Sequence, residues 1–453
     1  MRIKSIKNLK NLKNKTVLVR ADFDVPIKQE TRNKKQETKI LDDTRLKALL
    51  PTIKYLLNKK VKKIILIGHL GRPNGRVVNN LSLEPIKNYL EKLLKLKINF
   101  FCHPEFISGL NNILKQVQDD KRQVQDDKRQ VQDDRKTSNV IPSSFRDQDD
   151  NKIVMLENIR FFKEEKKNNK KFAKKLASLA DIYINECFST SHRKHASIDA
   201  IQDFLPSYAG LNLEQEIKNL FSAINKPKKP LVLIIGGAKI ETKLPIINNL
   251  INKADYILVG GAVANNFLKA KGFEVGKSFV DKEYIKEAKG ILNFQDTRNN
   301  FQINSKIQNS NKKNYKLPIT YCGLFLPIDI ITQDSKIKSL NEIKSTDKIL
   351  DIGPKTIILF SGIIKSAKTI VWNGPMGYFE DKKFSKGTEK IAENIFKNNK
   401  AGIIIGGGET GQVIKKLNKN NNKKNIFIST GGGAMLEFLA GKKLPGLKKI
   451  FKD

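Results

Sequence analysis

Cysteine is scarce. The three present in 453 residues, Cys102, Cys187 and Cys322, lie far apart. They form neither a disulfide framework nor the clustered spacing of a zinc site, which points to a reducing, cytoplasmic setting. Long apolar runs are missing too: none approaches the ~18 residues that a membrane-crossing helix needs. Thr16–Val19 is too short for the core of a secretory leader, and Arg20 and Asp22 break the apolar character immediately after it. Acidic residues number 46 against 85 basic ones, so the formal charge is +39. Lys is spread along the whole chain with abundant Asn and Ile, and no helix-turn-helix, zinc-finger or RRM signature occurs. A nucleic-acid partner is therefore not expected. The positive field would instead concentrate small anions.

What the chain does contain is an alternation of apolar, β-branched runs and amphipathic helices. Thr16–Phe23, Lys63–Leu70, Ile98–Cys102, Ile153–Leu156 and Asp181–Cys187 read as strands, with Asp43–Asn58, Ser82–Leu96 and Lys170–Ala180 as helices between them. The series restarts with Leu231–Ile235, Tyr256–Val259, Lys348–Asp351, Thr369–Trp372, Gly402–Ile405 and Asn425–Ser429. Continuous apolar strands separated by helices predict parallel sheets covered on both faces. Two series predict an α/β protein of two doubly wound, Rossmann-like domains. Tyr208–Ile224, ending at Pro227 and Pro230, is read as the helix between them. Three low-complexity stretches interrupt the pattern and are read as loop insertions: Lys28–Ile40 with KQET twice, the heptad repeat Gln116–Lys136, and the Asn/Gln/Lys-rich Asn293–Lys316. Each QVQDDKR heptad offers one Val where a coiled-coil seam needs two apolar positions, so an exposed loop is expected there.

The chemistry-bearing motifs differ between the halves. In the C-terminal half, LVLIIGGAK (Leu231–Lys239), YILVGGA (Tyr256–Ala262), GIIIGGGET (Gly402–Thr410) and FISTGGGAM (Phe427–Met435) each end a strand in glycines. Such turns let backbone approach a ligand and present helix N-terminal amides to phosphate. GFEVGKS (Gly272–Ser278) has three residues between its glycines where a P-loop needs four, so it is read as an ordinary loop. No GxGxxG opens a βαβ unit, which argues against a dinucleotide enzyme. In the N-terminal half the strand ends carry Arg and His instead: VRADFD (Val19–Asp24), GHLGRP (Gly68–Pro73), LENIRF (Leu156–Phe161) and STSHRKHAS (Ser189–Ser197), with DDTR (Asp42–Arg45) at a helix start. Clustered Arg suits bidentate recognition of carboxylate and phosphate, so this half is expected to bind a multiply anionic small molecule.

Together with DIGPKT (Asp351–Thr356), VWNGPMGYFE (Val371–Glu380) and STGGGAMLEFLAGKKLPG (Ser429–Gly446), these motifs resemble the phosphoglycerate kinase family. They occur in the family's order and cover the chain apart from the insertions. The resemblance implies reversible phosphoryl transfer between 1,3-bisphosphoglycerate and ADP, by in-line transfer after hinge closure, in a monomer that needs neither membrane nor nucleic acid. It implies a phosphoglycerate-binding domain over 1–207 with insertions 28–40 and 104–150, a hinge helix over 208–225, a nucleotide-binding domain over 226–430 with insertion 293–316, and a segment 431–453 that returns toward the first domain. A catalytically impaired, binding-only homologue is the alternative.

By the same resemblance, Asp22, Asp24, Arg45, His69, Leu70, Gly71, Arg72, Arg160 and Arg193 bind 3-phosphoglycerate or 1,3-bisphosphoglycerate. Gly237, Lys239, Lys243, Gly260, Gly353, Asn373, Pro375, Glu380, Gly407, Gly408, Glu409 and Thr410 bind Mg-ADP or Mg-ATP. Glu409 is the Mg²⁺-side carboxylate. An acceptor carboxylate has no proton to lose near pH 7, so no general base is needed. The work left is electrostatic and falls to Arg45, Lys239, Lys243 and the amides around Gly408 and Gly432. The chain departs from the family at three positions: Asp24 stands for the usual Asn, Glu409 for Asp, and Gly68 for the common Ser.

Overall fold

The computed structural model describes residues 2–32, 35–101, 152–299, 323–417 and 423–452. The Gln116–Lys136 repeat, Cys102, Cys322 and most of the Asn293–Lys316 stretch lie outside them. The chain divides into two compact units, Met1–Gln215 with Leu444–Asp453, and Glu216–Lys443. The division falls inside the Leu211–Asn225 helix, and residues 431–443 belong with the second unit.

The first unit is built on a six-stranded sheet in the order Asn99–Phe101, Ile153–Leu156, Lys63–Ile67, Thr16–Arg20, Ile182–Asn185, Ser207–Ala209. Every pairing is parallel. Successive strand residues point to opposite faces, which splits the apolar runs between two cores. Val17, Val19, Ile64, Leu66, Ile153 and Met155 join one core with Leu46, Leu49, Ile53 and Leu56 of the Thr44–Asn58 helix. Leu18, Ile65, Ile67, Val154, Leu156 and Tyr183 join the other with Phe172 and Leu176 of the Lys170–Ala177 helix. That is why these strands read as continuous apolar runs rather than as alternating ones.

The second unit repeats the plan with the order Gly323–Phe325, Tyr256–Val259, Leu231–Ile235, Thr369–Asn373, Gly402–Gly406, Ile426–Ile428, again all parallel. Val232, Ile234, Ile370, Trp372, Ile403 and Ile405 face the Pro354–Ser366 and Lys386–Lys397 helices through Phe360, Ile363, Ile391 and Ile395. Two parallel-sheet α/β units are thus what the alternation predicts.

Three sequence readings need correction. The Lys348–Asp351 run does form a strand, Ile349–Ile352, but it pairs antiparallel with Asp329–Thr332 in a separate three-stranded sheet. An apolar run of four residues carries no information about its partner. The parallel edge is taken by the three-residue strand Gly323–Phe325, too short to stand out in sequence. Tyr208 lies not in the helix but in the strand Ser207–Ala209, whose Tyr183↔Ser207 and Asn185↔Ala209 pairs complete the first sheet. Lys28–Ile40 is no irregular loop: Ile27–Arg32 and Lys35–Ile40 form an antiparallel hairpin in which Gln29 faces Thr38. Its polar composition hid it, because a two-stranded ribbon needs ladder hydrogen bonds but no apolar face. The GFEVGKS loop reading holds: it follows the Gly261–Ala270 helix, and Lys277 N–H donates to the Asp347 carbonyl.

Candidate active site

In the first unit the Arg and His residues gather at the carboxyl ends of the parallel strands, where open α/β sheets bind ligands. Arg20, the last residue of its strand, is fully buried and spends all three donor groups internally. Nε donates to Ser197 Oγ at 2.9 Å, Nη1 to the Ala21 carbonyl at 2.5 Å, and Nη2 to His69 Nδ1 at 3.1 Å. Arg160 is buried differently. Its Nη1 donates to the Gly71 carbonyl at 2.8 Å, while Nε and Nη2 have no partner among the described residues. A buried guanidinium with two idle nitrogens is an open demand for an anion.

The electrostatics agree. Burial together with Arg20 and Arg193 pulls Arg160 down to about 10. Burial, Arg20 and Arg160 hold His69 at about 3 against the pull of Asp24, and burial with Arg160, Arg20 and Arg193 holds His195 at about 3. Both imidazoles are therefore neutral at pH 7, crowded by the guanidinium groups around them. Glu165, fully buried, is the acid beneath them: burial raises its pKa, and its carboxylate accepts from Ser197 Oγ at 2.7 Å and Ser197 N at 2.9 Å.

Arg45, near the start of its helix, donates to the Asp22 carboxylate at 3.3 Å and the Asp24 carbonyl at 2.7 Å. Asp24 Oδ1 accepts from Gly71 N–H at 2.9 Å, and its Oδ2 faces His69 Nε2 at 3.6 Å. Burial would raise the Asp24 carboxyl, but His69, the Gly71 amide and Arg45 together hold it below the usual carboxylate range. Leu70 is buried beside them, and the Asn158 side-chain amide fixes the Leu70 carbonyl at 2.8 Å. Arg193 is half-buried, its Nε 3.4 Å from His192 Nε2. Arg72 is exposed and has no hydrogen-bond or ion-pair partner among the described residues.

In the second unit all four glycine turns follow parallel strands. Gly237 at φ +86° and Gly407 at φ +99° take left-handed conformations that a side chain would strain. Gly237 N–H bonds the Pro375 carbonyl at 2.7 Å, and Gly261 N–H the Met376 carbonyl at 2.8 Å, which stitches two of the turns to the WNGPMG segment. A cavity of about 500 Å³ lies along this seam. Gly237, Pro375 and Glu380 line it, and Gly260 caps the Gly261–Ala270 helix at its edge.

A second cluster adjoins Asn373, which is buried. Its Oδ1 accepts from Lys243 Nζ, its Nδ2 has no partner among the described residues, and Gly406 and Gly407 pass close to that amide. Thr410, in the first turn of the Gly408–Leu417 helix, closes onto the Gly406 carbonyl at 2.6 Å. Lys239 is exposed just beyond the first turn, as is Gly408. Glu409 belongs to the first helical turn beside it. Gly432, at φ +44°, precedes the short Gly433–Leu439 helix.

Gly353 is not in the cavity wall. It caps the Pro354–Ser366 helix, and a Cβ there would meet the Asp329 carboxyl at 2.3 Å. Its neighbours Asp351 and Ile352 line the cavity instead, with Asn265, Phe279 and Tyr378. Sequence reasoning missed these residues because none sits in a glycine turn. The one available hint was that Asp351 and Tyr378 fall within motifs already singled out. Asp351 is buried, accepts from Gly387 N–H at 2.7 Å and Ile352 N–H at 2.9 Å, and is pushed by burial up to about 7.

Comparison with known proteins agrees with this layout. The family described as phosphoglycerate kinase matches residues 6–442. The phosphoglycerate kinase of Dictyoglomus turgidum is 39% identical over 440 residues, covering 96% of this chain and 94% of its own. That of Finegoldia magna is 39% identical over 444 residues, 96% of each. Among solved structures, the phosphoglycerate kinase of Coxiella burnetii superposes with a TM-score of 0.74 at 32% identity, covering 99% of both chains. That of Pyrococcus horikoshii gives 0.71 at 27% identity, covering 99% of this chain and 98% of its own. The chain, with its basic strand ends in one unit and glycine turns in the other, belongs to the phosphoglycerate kinase family.

Proposed function

We propose that, as a member of this family, the chain reversibly transfers a phosphoryl group between 1,3-bisphosphoglycerate and ADP, giving 3-phosphoglycerate and ATP. The acceptor half-site lies in the first unit, and the observation that carries it is Arg160: buried, with Nε and Nη2 unpartnered among the described residues, beside Arg20, His69 and Arg193. Those donors suit a ligand that is both phosphate and carboxylate. The nucleotide half-site is the cavity and the Lys243–Asn373–Gly407 cluster of the second unit.

In the ATP-consuming direction a carboxylate oxygen of 3-phosphoglycerate attacks the γ-phosphorus. The new O–P bond forms as the bond to the β-γ bridging oxygen breaks, and ADP leaves with that electron pair. The carboxylate is already ionised, so the chain supplies no base. Arg45, Lys239 and Lys243, with the amides of Gly408 and Gly432, neutralise the charge spread over the transferring phosphoryl oxygens. No group of three or more His, Cys, Asp or Glu side chains that could hold a metal ion occurs among the described residues. Glu409 would offer a Mg²⁺ ion one protein carboxylate, with nucleotide phosphate and water as the remaining ligands. When bound, the ion supplies neutralisation of the nucleotide phosphates.

No helix among the described residues is long and apolar enough to cross a membrane. We take the chain to act as a cytoplasmic monomer. Nothing in the site favours a binding-only homologue. The test is an assay of ATP-dependent phosphorylation of 3-phosphoglycerate with Mg²⁺, coupled to reduction of the product. Steady turnover is expected; none with pure, folded protein would overturn the reading.

A further inference from the structure

Glu165 is fully buried, yet every hydrogen bond its carboxylate makes among the described residues goes to one serine. Oε2 accepts from Ser197 N–H at 2.9 Å and Oε1 from Ser197 Oγ at 2.7 Å. Holding the backbone at 196–197 to the Lys163–Lys166 helix needs only the first of these, with the Ala196 N–H bond to the Glu165 carbonyl at 2.9 Å. The hydroxyl bond serves another end. It commits the Ser197 proton to Glu165 and leaves the oxygen to accept from Arg20 Nε at 2.9 Å. Ser197 and Arg20 are both fully buried, so neither can turn to bulk water instead.

From Arg20 the chain of contacts runs outward to the basic pocket. Arg20 Nη2 meets His69 Nδ1 at 3.1 Å, and a guanidinium can only donate. His69 therefore carries its proton on Nε2, which faces Asp24 Oδ2 at 3.6 Å. The His69 side chain is 1% exposed and that of Asp24 41%, so Asp24 is where the chain reaches the surface. Its other oxygen takes the Gly71 amide at 2.9 Å. A carboxylate inside a pocket built for anions competes with the ligand unless it is kept occupied. Arg45, whose charge already acts on Asp24, is the nearest alternative partner.

We propose that Ser197, backed by Glu165, is a positioning residue of the acceptor half-site. Through Arg20 and His69 it keeps the Asp24 carboxylate turned to His69 and Gly71 and away from the guanidinium groups that an anionic substrate needs. Without the Ser197 hydroxyl, Arg20 Nε loses its acceptor and no longer fixes the imidazole. A His69 ring protonated on Nδ1 then turns a lone pair toward Asp24, and the carboxylate leaves it for Arg45. The effect on the substrate rests on the kinase reading; the effect on His69 does not.

Steady-state kinetics on the parent, Ser197→Ala, Asp24→Asn and the double variant test this as a cycle. Ser197→Ala is expected to raise the KM for 3-phosphoglycerate by about fivefold or more, the scale of one charge at contact distance near a surface. In the Asp24→Asn background the same substitution should change that KM by less than about twofold, because the competing carboxylate is gone. The KM for ATP should not move in either background, and Ser197→Thr, which keeps the hydroxyl, should behave as the parent. By ¹⁵N NMR, His69 of the parent should show a bare Nδ1 and a protonated Nε2, and Ser197→Ala a mixture of both forms. An unchanged KM in a folded Ser197→Ala, or an equal rise in both backgrounds, would overturn the proposal. So would a parent His69 protonated on Nδ1, a result that needs no variant to fold. Absence of turnover by the parent would sink the kinase reading, and the imidazole signals would still decide the positioning.

Discussion

Arg20 Nη2 lies 3.1 Å from His69 Nδ1. A guanidinium has no lone pair to offer, so Nδ1 must be the acceptor and the ring proton must sit on Nε2. His69 Nε2–H then faces Asp24 Oδ2 at 3.6 Å, while Asp24 Oδ1 takes the Gly71 amide. An acid at position 24 accepts from the Gly71 amide with one oxygen and turns the other toward the His69 N–H. An asparagine has one oxygen, so its NH₂ would face one of these two donors.

Asp24→Asn should therefore act in two directions. Removing a negative charge beside the basic pocket should lower the KM for 3-phosphoglycerate by about threefold, the scale of one charge acting through several ångströms near the surface. The lost acceptor should cost about 1 kcal/mol of stability. Steady-state kinetics and urea unfolding check the two effects separately. An unchanged KM would mean that the Asp24 charge does not act on the substrate.

Arg45 is held by Asp22 and by the Asp24 carbonyl, with part of its side chain open to solvent. Arg45→Ala is expected to reduce kcat by ~100-fold or more, the scale of one lost stabilising donor, with a smaller change in KM. A kcat within threefold of the parent would remove Arg45 from the transition state.

Gly68 replaces a serine common in the family, and the structure supplies the reason. A Cβ there would stand 2.1 Å from Phe23 Cδ2. Phe23 is fully buried and cannot swing away cheaply. Gly68→Ser should destabilise the protein by ~1–3 kcal/mol, and adding Phe23→Leu should recover a good part of that loss. Denaturant midpoints of the two single variants and the double variant measure the coupling. Strict additivity would show that the two positions do not collide.

Glu409→Gln removes a charge at constant size. The Mg²⁺ concentration for half-maximal activity should rise severalfold, whereas Glu409→Asp should keep activity or improve it. A midpoint that does not move with the charge would exclude Glu409 from the metal site.

Glu186 caps the Leu211–Asn225 helix, accepting from Asn212 N–H and Leu213 N–H, each at 3.0 Å, and from Thr52 Oγ1. Burial, only partly offset by these bonds, raises its carboxyl to about 7. In the unfolded chain the value is about 4.3. The folded state thus holds the extra proton between those limits. The associated stability is complete below pH ~4.3 and is lost as pH rises through 7, at about 1.4 kcal/mol per pH unit in between. Asp351, also at about 7, contributes with the same sign. The melting temperature should fall from pH 5.5 to 8, and Glu186→Gln should shallow that slope. A parallel slope in the variant would show that another group titrates.

Much of this protein was legible in its residues. Continuous apolar strands announced two parallel sheets, because a strand buried on both faces cannot alternate. Glycines at the ends of Leu231–Ile235 and Gly402–Gly406 announced close backbone approach, because only glycine takes φ near +90° without strain. Arg20, His69 and Arg160 were visible as strand-end Arg and His residues. What each does was not visible. Arg20 and Arg160 look alike in sequence, yet one engages all three guanidinium nitrogens, on Ser197, Ala21 and His69, and the other leaves two of its three without a partner among the described residues. Which donors are spent depends on neighbours up to 177 positions away, as Arg20 and Ser197 are. The same holds for Asn265 and Asn266, adjacent on one helix, of which only the first leaves an oxygen unmet among the described residues. Local pattern determined which elements form and where phosphate can approach. Pairing partners, such as the antiparallel mate of Ile349–Ile352, and the balance of satisfied against idle polar groups were decided by tertiary contacts, because hydrogen-bond saturation is a property of the packed neighbourhood and not of the residue.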